Sequence, residues 1–183
     1  LSSAFNQDAV QEFGEKLSQK IFGDYRGETG RTVRRMFASA ITPAGLVNYS
    51  DTILYNCKHI YAISTGENTG GCRECDKVMD MILSDAARRN IHCEAYYCPM
   101  RPAKSVEHIV IPELETGITV LNKYNSDESL VTTMYDLREY ANKAILRSNS
   151  EKIDENIHMY AELLRLALRA LKDAYWLHNA MEA

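Results

Sequence analysis

The chain has 183 residues, 45% hydrophobic and 25% charged, enough for one buried core and short for two full domains. A formal net charge of −4 lacks the basic surplus of a dedicated nucleic-acid binder. No apolar run approaches the roughly 20 residues that span a bilayer, and Leu1-Ser2-Ser3 does not open a secretory signal.

Residues 5–22 place Phe5, Val10, Phe13, Leu17 and Ile21 near helical spacing and predict an amphipathic helix ended by Gly23. Gly27 and Gly30 mark a loop that runs into a basic cluster, Arg31, Arg34 and Arg35, whose plain reading is a solvated face. Residues 36–42 read as a strand, Pro43 and Gly45 as a turn, and 46–57 as a short strand with a helical turn or two. His59–Ser64 suits a buried strand, and a glycine-rich loop follows it. The helix that begins near Cys72 carries the clearest stripe in the chain: Cys75, Val78, Met79, Ile82, Leu83 and Ala86. Asn90 is its expected stop. Ile91–Tyr97, Ser105–Ile111 and Gly117–Leu121 predict three more strands. Strand, loop, helix and strand in this order argue for a parallel α/β unit with a right-handed crossover.

After residue 122 the character changes. Asn122–Ser129 is polar, and Leu130, Met134, Leu137, Ala141 and Ile145 predict a helix to about residue 147. A hinge at 148–150 leads to a long helix over 152–181, roughly 45 Å at 1.5 Å per residue. The two are expected to pair as an antiparallel hairpin. Leu163, Leu166 and Leu177 widen its apolar face, which suits packing on the core, on a second copy or on another module.

A strand, a glycine loop and a helix start make the geometry that holds phosphate, because backbone N–H groups and the helix N-terminus converge there. Gly66 and Gly71 have the separation of the P-loop pattern G-x-x-x-x-G-K-[S/T]. Cys72 stands where Lys belongs and Arg73 where Ser or Thr belongs. The cation for the terminal phosphates and the hydroxyl ligand for magnesium are therefore both missing. The candidate ligand contacts are Gly66, Glu67, Asn68, Thr69, Gly70, Gly71, Cys72 and Arg73. The plain alternative is a tight turn without a ligand. Glu107 and Glu113 flank a strand and are the candidates for a magnesium shell; their plain reading is solvated loop carboxylates.

Several blocks resemble a known family. They are Arg35–Gly45, Gly66–Gly71, Glu94–Pro99 and Ser105–Leu114, within residues about 34–122. They are similar to the second P-loop module of an uncharacterised bacterial family of two-copy, ATPase-like proteins. The resemblance implies an α/β, P-loop-NTPase-like fold: a small, mainly parallel sheet with flanking helices and a C-terminal helical hairpin. It implies an origin as the latter part of a longer cytoplasmic protein, which the start at Leu1 rather than Met also suggests. Residues 1–30 are then an N-terminal helix and linker from a preceding module, 31–122 the core and 123–183 the helical part. ATP hydrolysis does not carry over, because the loop has lost its Lys and Ser/Thr.

The expected role is a degenerate P-loop module that regulates, scaffolds or assembles, with ATP or phosphate held weakly or not at all and no magnesium. Its expected partners are the upstream module and a second copy bound through the C-terminal helices, with neither membrane nor nucleic acid. One alternative is residual hydrolysis with a cation from Arg73, Lys77 or a partner. Another uses the cysteines. Cys72-Arg73-Glu74-Cys75 is a C-x-x-C at a helix start, where a thiolate is favoured. Cys93 and Cys98 extend it toward a zinc pattern, but they would face opposite sides of a regular strand, which argues against one metal. Plain buried or incidental thiols are the reading preferred over both. His59, His92, His108, His158 and His178 are scattered singly and read as structural.

Overall fold

The computed structural model describes residues 4–28, 32–66 and 72–182. Helix α1 spans Gln7–Phe22, with Asn6 accepting from the Asp8 and Ala9 amides as its N-cap and Gly23 ending it. Strand β1 is Val33–Met36, and β2 (Ser39–Thr42) and β3 (Gly45–Asn48) form an antiparallel hairpin. The strand expected over 36–42 is thus split: Met36 ends β1, and the hairpin turns at Pro43 and Ala44. A short α2 (Ser50–Leu54) leads to β4 (His59–Ser64). Helix α3 covers Arg73–Arg88, and Asn90 takes a left-handed φ of 58° at its stop. Strands β5 (Cys93–Tyr97), β6 (Val106–Ile111) and β7 (Thr116–Leu121) follow, then β8 (Thr133–Asp136).

Six strands form one sheet in the order β1-β5-β6-β7-β4-β8. Only β6 runs against its neighbours, so the sheet is mostly parallel, as the strand–helix–strand order implies. The β4–α3–β5 crossover passes over β7 and β6. The C-terminal ends of β4, β5, β7 and β8 and the start of β6 therefore share one edge of the sheet, the edge where open α/β sheets bind ligands.

Alternation along the strands divides the interior in two. Tyr61, Ile63, Ala95, Ile109, Ile118 and Val120 face α1 and α3 and join Val10, Phe13, Leu17, Val78, Met79 and Ile82 in the main core. Ile60, Tyr96 and Val110 face the other way, toward Ala38 and Leu54. The α3 stripe is buried as its spacing requires, with Val78, Met79, Ile82 and Ala86 fully enclosed. Helix α1 packs in the same core. Ser18 ties it to α3 by donating to Asp85 at 2.6 Å.

The predicted helix over 130–147 is not formed. That segment is β8, a 3-10 turn over Leu137–Tyr140 and a six-residue α4 (Lys143–Ser148). Two local caps divide it: Asp136 accepts from the Arg138 amide, and Asn142 from the Ala144 and Ile145 amides. Thr132 also donates its N–H to the Ile60 carbonyl, which draws the chain into the sheet.

The helical hairpin is absent for the same reason, and a single α5 (Ser150–Glu182, 33 residues) closes the chain. Ile153, Ile157, Ala161, Leu164 and Leu168 are half-buried on its inner stripe. From Arg169 to Glu182 every residue is exposed. No helix among the described residues is long and apolar enough to cross a membrane.

Candidate functional site

Strand β4 lies inside the sheet between β7 and β8, and its last residue, Ser64, stands in register with Leu121 and Asp136. The chain then turns. Ser64 Oγ accepts from the Gly66 N–H at 3.0 Å, and Gly66 has a φ of +106°, a conformation that side chains disfavour. A Cβ there would also lie 3.1 Å from Arg138 Nη1, so a larger residue would shift the guanidinium by a few tenths of an ångström. Glu67, Asn68, Thr69, Gly70 and Gly71 lie outside the described residues. Cys72 is the N-cap of the 16-residue α3.

Arg138 is the cation that the sequence reading did not single out. Its guanidinium reaches Gly66 from the 3-10 turn after β8, while Nε and Nη2 bind the Asp136 carboxylate at 2.6 to 3.0 Å. Arg73 and Lys77 point elsewhere, into an open groove of about 1240 Å³ between α1 and α3. Lys77 Nζ donates to the Gln7 carbonyl there. That groove mixes cations with Glu15, Asp76, Asp80 and Asp85, so it carries no net attraction for an anion. The signal for Arg138 was its position just past a strand end, hidden because the segment read as helix interior.

The acidic candidates separate. Glu107 is 9% exposed at the start of β6 and accepts from Ser39 Oγ at 2.7 Å, so it is a buried carboxylate and not a solvated one. Glu113 lies past the other end of β6, away from Gly66, where it is exposed and accepts from Tyr25 Oη at 3.2 Å. The carboxylate that stands beside β4 is Asp136. The basic cluster is also spent on local contacts: Arg34 pairs with Glu94 at 3.3 Å, and Arg35 stacks 4.2 Å over the Tyr97 ring. Arg31 lies outside the described residues.

Cys72 donates its thiol hydrogen to Glu74 Oε2 at 3.0 Å, and Glu74 is 4% exposed. Cys75 follows on the same helix and is buried, and the neighbouring Cys72 together with burial drives its pKa well up. Burial pushes Cys57 to about 11, Cys93 to about 12 and Cys98 to about 11, the last helped by Glu107. Cys93 sits in the main core, whereas Cys72 and Cys98 both line a small cavity of about 20 Å³ with Asp76, Arg101, Glu107 and Tyr160. That is room for about one water molecule. Among the described residues no group of three or more His, Cys, Asp or Glu side chains is placed to hold a metal ion.

On the opposite face a buried polar relay links four elements. Asn48 Oδ1 accepts from the Ser50 amide, and Asn48 Nδ2 donates to Asn125 Oδ1. Asn125 Nδ2 donates both to the Val120 carbonyl and to Thr119 Oγ1, and Thr119 meets His108 Nδ1 at 3.0 Å. His108 is fully buried, and burial lowers its pKa to about 4.

Comparison of the chain with known protein families, with curated proteins and with solved structures finds no match.

Proposed function

We propose that the chain is a degenerate P-loop-like α/β module that holds a phosphate-bearing ligand at the β4–α3 turn and lacks the equipment to hydrolyse it. The observation that carries this reading is the meeting of three features at one strand end. An interior strand finishes at Ser64, a long helix begins at Cys72, and Arg138 reaches the turn at Gly66. Helix N-termini stabilise anions, and guanidinium matches phosphate oxygens in pairs. Arg138 then supplies the positive charge that the usual lysine gives in a P-loop, from a different element.

The fit is for weak binding. Asp136 holds the same guanidinium, so an incoming phosphate competes with a carboxylate already in place. Neither Cys72 nor Arg73 offers magnesium a hydroxyl ligand. A regulatory or assembly role suits a module that senses a nucleotide without consuming it, and α5 offers a surface for its partners.

Thermal shift of the full chain with Mg-ATP, ADP and pyrophosphate tests the reading, since a ligand specific to the folded state stabilises by about 2.7 kcal/mol at 100 times its Kd. All three are expected to stabilise the protein, with Arg138→Gln abolishing the shift and Arg73→Gln leaving it. No shift at millimolar ligand overturns the proposal. Release of phosphate in the same samples would replace it with residual hydrolysis.

A further inference from the structure

We propose that Cys72 and Cys75 form a reversible dithiol–disulfide couple at the head of α3, with Glu74 as the proton acceptor for the attacking thiol. The proposal does not depend on phosphate binding at the adjacent turn.

Cys72 occupies the N-cap of α3 with extended backbone, φ −129° and ψ 130°, and makes no side-chain cap. An N-cap side chain normally accepts a hydrogen bond from an amide of the first turn. The neutral thiol instead donates, to Glu74 Oε2. The sulfur stands next to the positive end of the helix dipole. Glu74 is placed to take the thiol proton. It is buried, within hydrogen-bond reach of the sulfur, and held from behind by Gln7 Nε2 at 3.4 Å.

Cys75 is the matching resolving thiol. It follows Cys72 by three positions at a helix start, where Cβ atoms lie roughly 5 to 6 Å apart in a regular helix. Disulfide formation needs a Cβ separation near 4 Å, and Cys72, as the non-helical N-cap residue, is not bound to the helical spacing. Cys75 is 1% exposed whereas Cys72 is half-buried beside the small cavity, so a disulfide from solution meets Cys72 first.

The co-reactant is a disulfide of the low-molecular-weight thiol class, RSSR. The Cys72 proton passes to Glu74, and the thiolate attacks one sulfur of RSSR. A Cys72–SR bond forms, the S–S bond of RSSR breaks, and the RS⁻ that leaves takes the proton from Glu74. The Cys75 sulfur then attacks Cys72 Sγ. The Cys72–Cys75 bond forms, the Cys72–SR bond breaks, and the second RS⁻ leaves with the Cys75 proton. Two thiols of the protein are oxidised by two electrons and RSSR is reduced to two RSH.

The test incubates the full chain in glutathione buffers of graded GSH to GSSG ratio, with acid quench, alkylation of free thiols and peptide mapping. The expected result is a Cys72–Cys75 disulfide that rises and falls reversibly with the ratio. Cys75→Ala is expected to accumulate the glutathione adduct on Cys72. If that variant does not fold, rapid acid quench of the unsubstituted chain reads the same transient adduct. Glu74→Gln is expected to slow adduct formation at neutral pH by about tenfold or more. A first bridge between Cys72 and Cys98 overturns the proposal. So does a Cys72 adduct that never resolves, or thiols that react only when the chain unfolds. An unchanged rate in a folded Glu74→Gln variant removes Glu74 from the step.

Discussion

Thr119 Oγ1 and His108 Nδ1 meet at 3.0 Å on adjacent strands, sealed from solvent. Asn125 also donates to Thr119 Oγ1, and the tautomer of the ring sets which of Thr119 and His108 donates to the other. Among the described residues Nε2 has no partner. A buried ring nitrogen without a partner, on a ring held neutral, makes His108 a liability as pH falls.

The folded state holds His108 near a pKa of about 4, against an ordinary value of 6.5. Between those values the unfolded chain binds the proton and the folded chain does not, so stability is full above about pH 6.5 and falls toward pH 4. The loss approaches about 3 kcal/mol by linkage. Urea titrations between pH 7 and 4 are expected to show this slope and to show it flattened in His108→Gln. An unchanged slope in that variant would assign the acid sensitivity to other groups.

Gly117 is a packing requirement. A Cβ on this β7 residue would sit 2.6 Å from Leu54 Cδ2 and 3.3 Å from Cys57 Sγ, where α2 closes over the sheet. Gly117→Ala is expected to destabilise by about 1 to 3 kcal/mol through overpacking. Leu54→Ala alone opens a cavity, but in the Gly117→Ala background it also relieves the clash. The double mutant should therefore be more stable than the sum of the two single effects predicts. Strict additivity would show that Leu54 moves aside at no cost.

Trp176 is the single tryptophan of the chain and is 62% exposed on the outer half of α5. Its fluorescence is expected to peak near that of indole in water and to be quenched readily by iodide. Trp176→Ala should change stability by less than about 0.5 kcal/mol. Blue-shifted, protected emission at low concentration would show that this half of the helix is covered.

The elements that the sequence made legible are those whose apolar residues serve one face. Helix α3 is the clearest, since its whole stripe enters one core. The segment after residue 129 misled because its helical spacing is coincidental. Leu130 and Val131 pack on the α2 side of the sheet, whereas Leu137 is buried on the α1 and α3 side. A period of 3.6 cannot distinguish one helical face from a chain crossing a sheet edge. The end of β4 before Gly66 and the start of α3 after Cys72 were legible from the apolar run and the helical stripe on either side. Arg138 was not, because it lies 72 positions beyond Gly66 in the sequence and nothing local marks their approach. Glu107 read as solvated because a charged residue inside an apolar strand gives no hint of the Ser39 hydroxyl that receives it.

The reversed strand β6 gives the sheet two unequal halves in folding. Strands β5, β6 and β7 are consecutive antiparallel neighbours joined by short connections, so they zip with little loop-closure entropy. Strand β4 must find β7 across more than 50 intervening residues, and β8 joins only after β4 is seated. The half-sheet that carries the Gly66 turn is therefore the late-assembling one. Its amides should exchange with deuterium before those of the meander, and uniform protection across all six strands would contradict that order.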